Sequence, residues 1–453
     1  MMTHIYYIII LFYSNIDKQK KGTMMDRRYF KVYIKGGIIP VLLAAIVINL
    51  TTCGFFGSPN AVLWTDRPEF AFYAEYFNAD QNKYKIEVRY FEDVARKLSE
   101  QGEYPDIVAA SWIKSSSSRA LFKSLDGVFS SNNNSQDGIS RLSFYPRLLS
   151  LGYIDSHQYL LPVSFNIPAI IFPQEINSGP SNPFIIEMDE IKSRGKAYNT
   201  ESKGFYTRMG FSPLSNDEFI FIASTLFGAG FREASPIAWN TQILEQTIVW
   251  IQQWISEANT SIQMEDDFVF KYFYEPADKL VNSGRVLFAY LDSSGLFTIP
   301  EERRAKLDFR WLAAKELIPL DEGMTYYGIH KKAKATGAAK AFTKWFFRPE
   351  TQRLLLEEAK SKRLLETSFG IAGGFSAMRS VTENIFPLFY PDLLGHVPPD
   401  SFLSPANILP RNWIDIKERV ILPYLRERIR RSNRDEVRPL ERRITDWYRL
   451  KKE

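Results

Sequence analysis

The chain has 453 residues, and its formal net charge of +5 is the small difference between 57 Lys and Arg and 52 Asp and Glu. Residues 1–52 hold seven of the basic and two of the acidic residues, which leaves 50 of each sign in the remainder. A neutral remainder argues against a nucleic-acid or other polyanionic partner, and a single cysteine excludes an intramolecular disulfide. The length favours two lobes over one large core.

The segment at residues 24–53 has the composition of an export leader. Basic residues between Arg27 and Lys35 come first, an apolar run over residues 36–50 follows, and two threonines separate this run from Cys53. The run is shorter than the roughly 20 residues that span a bilayer, and basic residues at its start favour the cytoplasmic side. This order resembles a bacterial lipoprotein signal, in which the cysteine receives the lipid (palmitate) and becomes the mature N-terminus.

We therefore predict a leader over residues 1–53, a tether over residues 54–60, and lipidation at Cys53. Thr52 stands where such signals usually have Gly, Ala or Ser, so an uncleaved N-terminal anchor is the alternative. Met24 offers a second start, and translation from it would omit residues 1–23. In either form, we expect the bulk of the chain outside the cytoplasmic membrane and tethered to it, on the periplasmic or cell-surface side.

Strand and helix patterns alternate after the tether. They predict, in order, a strand at 61–65, a helix at 68–78, a strand at 85–90, a helix at 93–101 and a strand at 105–111. This order is typical of a parallel α/β sheet, whose ligands lie beyond the carboxyl ends of the strands. Trp64, Asp66, Ser111 and Trp112 fall at those ends.

The middle of the chain begins with an extended segment at 159–166 that holds Pro162 and is followed by Pro168, which predicts a crossing between lobes. Residues 173–285 read as largely helical. The pattern predicts these elements: a strand at 169–172, helices at 217–226 and 241–258, a strand at 286–291 that closes on Asp292, a strand at 309–313, and a helix at 414–430.

Several stretches, taken in order, resemble the extracellular solute-binding proteins of ATP-driven (ABC) importers, in particular the family 1, sugar-binding group. They are Val62-Leu-Trp-Thr with Tyr84-Lys-Ile-Glu-Val, Pro105-Asp-Ile-Val, Tyr159-Leu-Leu-Pro-Val-Ser-Phe-Asn, Arg285-Val-Leu-Phe-Ala-Tyr, and Tyr327-Gly-Ile-His-Lys-Lys-Ala with Ala338-Ala-Lys-Ala-Phe-Thr-Lys-Trp-Phe-Phe-Arg-Pro-Glu-Thr-Gln. The last pair is the most specific, because a returning strand precedes a helix broken at Pro-Glu. The segments at 370–380 and 387–410 depart from the family pattern.

The resemblance implies an α/β, two-lobed periplasmic-binding-protein-like fold, in which each lobe is a mixed sheet flanked by helices and hinge strands join the lobes. It places residues 60–164 and 318–362 in lobe 1, and residues 165–317 and 363–453 in lobe 2. It also implies a monomer without cofactor or metal. Such a protein closes its lobes on a small polar solute, a sugar or a similar molecule, and delivers it to the permease subunits of an ABC importer.

A sugar site needs polar groups for the hydroxyl rim and aromatic planes for the ring faces. Each candidate also has a structural alternative, since aspartates suit helix caps and turns and aromatic residues suit core packing. The candidate ligand-binding residues are the polar Asp66, Ser111, Asn166 and Asp292, and the aromatic Trp64, Trp112, Tyr290, Tyr326, Tyr327 and Trp413.

Enzyme signatures are missing from the sequence. Its four histidines have no metal-ligand spacing, Cys53 is assigned to the leader, and no nucleophile elbow, phosphate loop or dinucleotide fingerprint occurs. We therefore predict a protein that is not an enzyme. The alternatives are a surface lipoprotein that reuses the fold as an adhesin or sensor and, less favoured, a tethered glycoside hydrolase, since two carboxylates suffice for that chemistry.

The C-terminal segment at 419–452 is strongly basic, and its apolar residues Val437, Leu440, Ile444 and Trp447 recur at helical spacing. We predict an outer helix packed on the second lobe. The alternative is a surface that contacts anionic lipid or the permease.

Overall fold

The computed structural model describes residues 60–100, 102–130, 138–175, 179–431 and 436–450. The predicted leader with Cys53, and the predicted tether up to residue 59, lie outside these residues. None of the helices in the described part of the chain has both the length and the apolar composition that a bilayer crossing requires.

The strands follow the predicted alternation and then continue through the middle of the chain. In chain order they are β1 (Asn60–Thr65), β2 (Lys85–Tyr90), β3 (Ile107–Ala110), β4 (Tyr153–Ile154), β5 (His157–Gln158), β6 (Leu161–Phe165), β7 (Pro168–Pro173), β8 (Ile185–Ile186), β9 (Thr200–Ser202), β10 (Phe205–Arg208), β11 (Ala289–Asp292), β12 (Leu307–Leu312), β13 (Ile318–Pro319), β14 (Thr325–Ile329), β15 (Phe375–Ser376) and β16 (Leu403–Ser404).

The α-helices are α1 (Glu69–Asp80), α2 (Val94–Lys97), α3 (Ser118–Leu121), α4 (Pro146–Ser150), α5 (Met188–Tyr198), α6 (Asp217–Phe227), α7 (Thr241–Ala258), α8 (Ile262–Lys271), α9 (Ala277–Asn282), α10 (Ser293–Phe297), α11 (Glu301–Arg304), α12 (Thr336–Phe346), α13 (Pro349–Ser361), α14 (Arg379–Asn384), α15 (Phe386–Phe389), α16 (Trp413–Ile416), α17 (Leu422–Arg430) and α18 (Leu440–Leu450). A π-helical turn at Lys417–Ile421 joins α16 to α17. Short 3-10 helices lie at Asp126–Val128, Arg141–Ser143, Pro213–Ser215, Leu364–Glu366, Pro391–Leu393 and Asp400–Phe402.

The first sheet has six strands in the order β15-β6-β14-β3-β1-β2. Its β1 pairs in parallel with β2 and β3, because the helices between these strands carry the chain back to the same end of the sheet. The strand β14 runs antiparallel to β3, and β6 in turn runs antiparallel to β14. The predicted parallel α/β beginning of the chain is therefore confirmed, within a mixed sheet.

The second sheet has four strands in the order β11-β7-β12-β8, with β7 antiparallel to both β11 and β12. Only Asn166 and Ile167 separate β6 in the first sheet from β7 in the second. The predicted crossing at 159–166 is confirmed, and it brings the two sheets together at Asn166.

Two predicted elements differ from the structure at their ends. The helix predicted at 93–101 stops at Lys97, because the amides of Ser99 and Glu100 bond to carbonyls three residues back, which ends the α-helical turn. The strand predicted at 286–291 begins at Ala289, since the amides of Leu287 and Phe288 bond to Gly210 instead of to β7. A local change of hydrogen bonding sets the first boundary, and a contact with a distant segment sets the second.

Two apolar cores accompany the two sheets. One runs from the first sheet along the crossing strands to one face of the second sheet, and the other fills the second lobe around Phe219, Trp254 and Trp413. The lobe boundaries drawn from the sequence remain a prediction, and β15 pairs with β6 in the first sheet although it lies in the range assigned to lobe 2.

The C-terminal helices pack on the second core. Leu440 and Ile444 of α18 are buried there, together with Val437. Many of the basic residues before and within α18 are paired with acids of the same lobe, as Arg428 is with Glu245. This agrees with the prediction of an outer helix packed on the second lobe.

Candidate functional site

A cleft of about 890 Å³ lies where the crossing segments join the two sheets. Its volume is within the range of ordinary ligand sites, about 300–1,000 Å³. Residues that follow strands of both sheets line it, as expected for ligand sites in α/β folds. Five of the ten predicted site residues are among them: Asp66, Ser111, Trp112, Asn166 and Asp292.

Asp66 and Arg67 form the wall of the cleft at the end of β1. The Oδ2 atom of Asp66 accepts a hydrogen bond from the amide of Ser111 at 2.9 Å, and burial raises the pKa of this carboxyl although Arg67 opposes the shift. The guanidinium of Arg67 donates to Thr325, to the hydroxyl of Ser111 and to the carbonyl of Gly323. These bonds hold the ends of β1, β3 and β14 together.

Asn166 ties the crossing segments to one another. Its Nδ2 atom donates to the carbonyl of Gly373 at 2.9 Å, its Oδ1 atom accepts from Ser293 at 2.6 Å, and its backbone carbonyl accepts from the amide of Asp321. The amide side chain therefore borders the cleft with both ends occupied by protein partners. These bonds join the segment between β6 and β7 to Gly373, Ser293 and Asp321, and the predicted contact of Asn166 with a ligand stays a prediction.

Asp292 serves both as a helix cap and as a cleft residue. Its Oδ1 atom accepts a hydrogen bond of 2.6 Å from the amide of Gly295, which caps α10. Burial raises the pKa of this carboxyl. Asp292 therefore caps α10 and lines the cleft, and its contact with a ligand stays a prediction.

Trp112 is the aromatic candidate that the structure brings into the cleft. It follows β3 with φ 59°, a left-handed conformation that residues with a Cβ rarely adopt. This conformation turns the half-buried ring towards the second core, against which it packs while it also lines the cleft. Trp112 thus contacts both lobes.

A second chamber of about 380 Å³ adjoins the cleft and shares Asp292 and Asp321 with it. Tyr290, another predicted site residue, lines this chamber with Glu218 and Lys417. Burial raises the pKa of the Tyr290 hydroxyl well above its usual value, so this group stays neutral.

A buried charge cluster forms one side of the chamber. The Nζ atom of Lys417 lies 2.5 Å from carboxylate oxygens of both Glu218 and Glu322, and the indole N–H of Trp413 donates to Glu322 at 3.0 Å. Burial and the neighbouring Glu322 raise the pKa of Asp321 to about 7. Burial opposes the charge of Lys417, but the surrounding carboxylates raise its pKa above the usual value.

Four predicted aromatic residues lie in or near the core. Trp64 is 1% exposed and packs on Phe91. Tyr327 is fully buried, with its hydroxyl 2.7 Å from that of Thr343, and its strand neighbour Tyr326, on the opposite face, borders only a small space beside Lys114.

Trp413 is also buried and contacts Phe221 and Phe231. Trp64, Tyr327 and Trp413 do not line the cleft or the chamber, because each lies on the core-facing side of its strand or helix. The predicted ring contacts with a ligand are therefore corrected for these three residues.

Several lining residues were not singled out from the sequence. Glu69, Phe72 and Glu75 of α1 border the cleft, and their spacing of three residues places them on one helix face. That spacing was a usable signal. Asp321 and Lys417 gave no such signal. Lys417 lies 95 residues from Glu322 and 199 from Glu218 in the chain, and the burial of Asp321 is decided by tertiary packing.

Contacts outside the crossing segments also join the two lobes. Arg411, just before α16, donates to the hydroxyls of Ser117 at 2.7 Å and Ser99 at 3.3 Å. Nearby, the amide of Ser116 donates to Glu233 at 3.0 Å. These bonds hold loops of the first lobe against loops of the second.

We expect Arg411→Ala to shift the ligand-free protein towards an open form, because it removes two charge-assisted bonds between the lobes. At about 1 kcal/mol, the shift in the open–closed equilibrium is about fivefold. Small-angle X-ray scattering measures it as a larger radius of gyration. Arg119→Ala is the control, since Arg119 pairs with Asp155 of the same lobe; equal radii for the wild type and the Arg411 variant would contradict the expectation.

No group of three or more His, Cys, Asp or Glu side chains within the described residues is arranged to hold a metal ion. The cleft and the chamber are lined by carboxylates, by the basic side chains of Arg67 and Lys417, by hydroxyl and amide groups, and by the rings of Phe72, Trp112 and Tyr290.

The family model described as bacterial extracellular solute-binding protein matches residues 64–353, which is more than half of the chain. Its members are binding proteins. A search of curated proteins finds no match to this sequence.

Solved structures with a similar fold cover most of the chain. The cyclic alpha-maltosyl-1,6-maltose binding protein of Arthrobacter globiformis is 16% identical, with a TM-score of 0.55 over 85% of this chain and 96% of that one. An ABC substrate-binding protein of Listeria monocytogenes in complex with cycloalternan is 11% identical, with a TM-score of 0.56 over 85% and 96%. The maltose/maltodextrin-binding domain of Bdellovibrio bacteriovorus, bound to maltotriose, is 15% identical, with a TM-score of 0.53 over 87% and 100%. These similarities confirm the predicted two-lobed α/β fold.

Proposed function

The chain belongs to the bacterial extracellular solute-binding proteins. From this membership we propose that it captures a small polar solute by closing its lobes, and that a sugar is the favoured solute. It then delivers the solute to the permease of an ABC importer. The observation that carries this proposal is the cleft of about 890 Å³ at the crossing segments, with polar side chains from both sheets and the ring of Trp112.

Three features support capture by closure. The cleft lies beside short crossing segments that can act as a hinge. Trp112 and Arg411 of opposite lobes make contacts that depend on the lobes being close together. Two of the three similar structures described above are of proteins named for saccharides that they bind, and the third is a complex with cycloalternan. A ligand that contacts both lobes binds the closed form more tightly, and it therefore shifts the equilibrium towards closure.

Thermal unfolding against a library of neutral mono- and oligosaccharides, maltotriose and cyclic glucans included, tests the proposal. A ligand at about 100 times its Kd stabilises the folded protein by about 2.7 kcal/mol, and calorimetry then gives the affinity. Absence of any stabilising saccharide, with no closure seen by small-angle scattering, would argue for the adhesin or sensor alternative. Appearance of shorter saccharides during the titration would support the tethered glycoside hydrolase.

We also propose that a lipid on Cys53 anchors the protein on the outer side of the cytoplasmic membrane or on the cell surface. We expect Cys53→Ala to abolish incorporation of labelled palmitate and to release the protein from the membrane fraction if cleavage still occurs. Mass spectrometry of the mature N-terminus identifies the modified residue. The alternative, an uncleaved anchor, predicts that the wild type itself incorporates no palmitate and keeps its full length.

A further inference from the structure

We propose that the solute carries a positive charge, and that amino-saccharides bearing free ammonium groups are the ligand class that this cleft selects. This inference rests on the proposed function, because it concerns the charge of a solute held in the same cleft. The cavity defines the site, and the charge of its lining restricts the class of ligand that the site can bind.

The described residues that line the cleft include six carboxylates and one basic side chain. The carboxylates are Asp66, Glu69, Glu75, Glu92, Asp292 and Asp321, and the basic residue is Arg67. Even with Asp321 half-protonated near neutral pH, since burial raises its pKa to about 7, the lining carries a net negative charge of about four. A concave wall of one charge sign attracts ligands of the opposite sign.

The one basic side chain, that of Arg67, donates its hydrogen bonds to other residues of the protein. Arg67 bonds to Thr325, Ser111 and Gly323, which turns its guanidinium into the wall of the first lobe. Its contact with Asp66 is a long one, 3.7 Å between Nε and Oδ1. These bonds fix the guanidinium on the first lobe, and its single positive charge leaves the lining net negative.

Two solvent-shielded carboxylate oxygens in this lining have no hydrogen-bond partner among the described residues. They are Oδ1 of Asp66 and Oε2 of Glu69. Because these oxygens are shielded from water and accept no hydrogen bond, their negative charge is little screened and adds to the attraction of the cleft for a cation.

An organic cation fits these features better than a metal ion. The described residues offer no cluster of three or more His, Cys, Asp or Glu side chains arranged as metal ligands. The rings of Trp112 and Phe72 instead border the cleft, and such rings suit the apolar face of a sugar or an ammonium group above them. A saccharide with ammonium substituents matches both the charge and the rings.

Two matched disaccharides test the charge directly. Chitobiose in its fully deacetylated form and cellobiose share the β-1,4 linkage and differ in the ammonium or hydroxyl group at C2. Calorimetry at about pH 6, where the amines are protonated, should show chitobiose binding at least about tenfold more tightly. The preference should shrink when the salt is raised from about 0.1 M to about 1 M, because ions screen the attraction.

The double variant Glu75→Gln/Glu92→Gln removes two rim charges at exposed positions, so folding should not be affected. It should reduce the preference for chitobiose by about threefold or more. The matched control is Asp189→Asn/Glu201→Gln, which removes two exposed charges outside the cleft and should leave the preference unchanged. An equal loss in both double variants would overturn a role for the cleft carboxylates.

Different binding results would contradict the selection of positively charged solutes and the capture of solutes in general. Equal affinity for the two disaccharides, or binding of neutral saccharides from the library with no binding of chitobiose, overturns the charge selection and leaves solute capture standing. Failure of every neutral and amino-saccharide to stabilise the protein overturns both. Tighter binding of chitobiose that depends on Glu75 and Glu92 supports both.

Discussion

Lys417→Met is expected to lower the free energy of unfolding by about 3–5 kcal/mol, because it removes the cation from a buried group of carboxylates. The Lys417 side chain is 12% exposed and that of Glu322 is 5% exposed, so water cannot replace the lost partner. Methionine keeps the length of the side chain. The measured effect is therefore mainly that of the charge.

The destabilisation by Lys417→Met should depend on pH. Burial and Glu322 raise the pKa of Asp321 from 3.8 to about 7, so the folded state binds the proton more tightly than the unfolded state does. A group of this kind makes the protein less stable as the pH rises from about 4 to about 7. Without Lys417 the pKa values of Asp321 and Glu218 rise further, because Lys417 lowers both. The loss of stability should therefore be small near pH 4 and largest above pH 7.

Urea unfolding across this pH range measures both effects. Lys340→Met on the exposed face of α12 is the control, and it should change the stability by less than about 0.5 kcal/mol at every pH. A loss of stability that is independent of pH would show that the carboxylates near Lys417 do not depend on its charge. In that case the ion pairs of Lys417 would not explain the stability that the protein loses in the variant.

Trp112→Ala is expected to weaken saccharide binding by about 2 kcal/mol, roughly 30-fold, since a tryptophan in contact with both lobes is a typical hot spot. The ring lines the cleft and packs against the second core. Its loss should therefore remove contact with the sugar face and also weaken closure. Calorimetry with the best saccharide from the library measures the affinity.

A second variant, Trp112→Gly, distinguishes the effect of losing the ring from the effect of backbone strain at this position. Position 112 has φ 59°, a conformation that glycine adopts at little cost and alanine at a cost of about 1 kcal/mol. The glycine variant should therefore be the more stable of the two while both lose the same affinity. Full affinity in the alanine variant would exclude the ring from the binding site.

The charge cluster shows why part of the site could not be predicted. Glu218, Glu322 and Lys417 are far apart in the sequence, and each is unremarkable in its local pattern. They meet because α6, the segment before β14 and the π-helical turn converge beside the crossing strands. By contrast, Asp66, Ser111 and Trp112 were predictable, because residues that follow parallel strands meet at one edge of a sheet.

The aromatic candidates show that the sequence did not predict which rings face the core and which face the cleft. An aromatic residue on a strand or helix can face either the core or the cleft, and the local pattern of Trp64 or Trp413 does not distinguish the two. Packing on Phe91 in one case, and on Phe221 and Phe231 in the other, decides it. Position 112 differs because its left-handed backbone turns the ring away from the alternation of β3.

From its sequence alone, the chain determines the order of its strands and helices, the crossing near Asn166 and its membership of a family of two-lobed binding proteins. These depend on periodic patterns and short motifs, which act over a few residues at a time. The tertiary structure alone decides which side chains face the cleft, which carboxylates remain unpaired and which loops hold the lobes together. These depend on the approach of distant segments, and burial and charge act there through space, without regard to position along the chain.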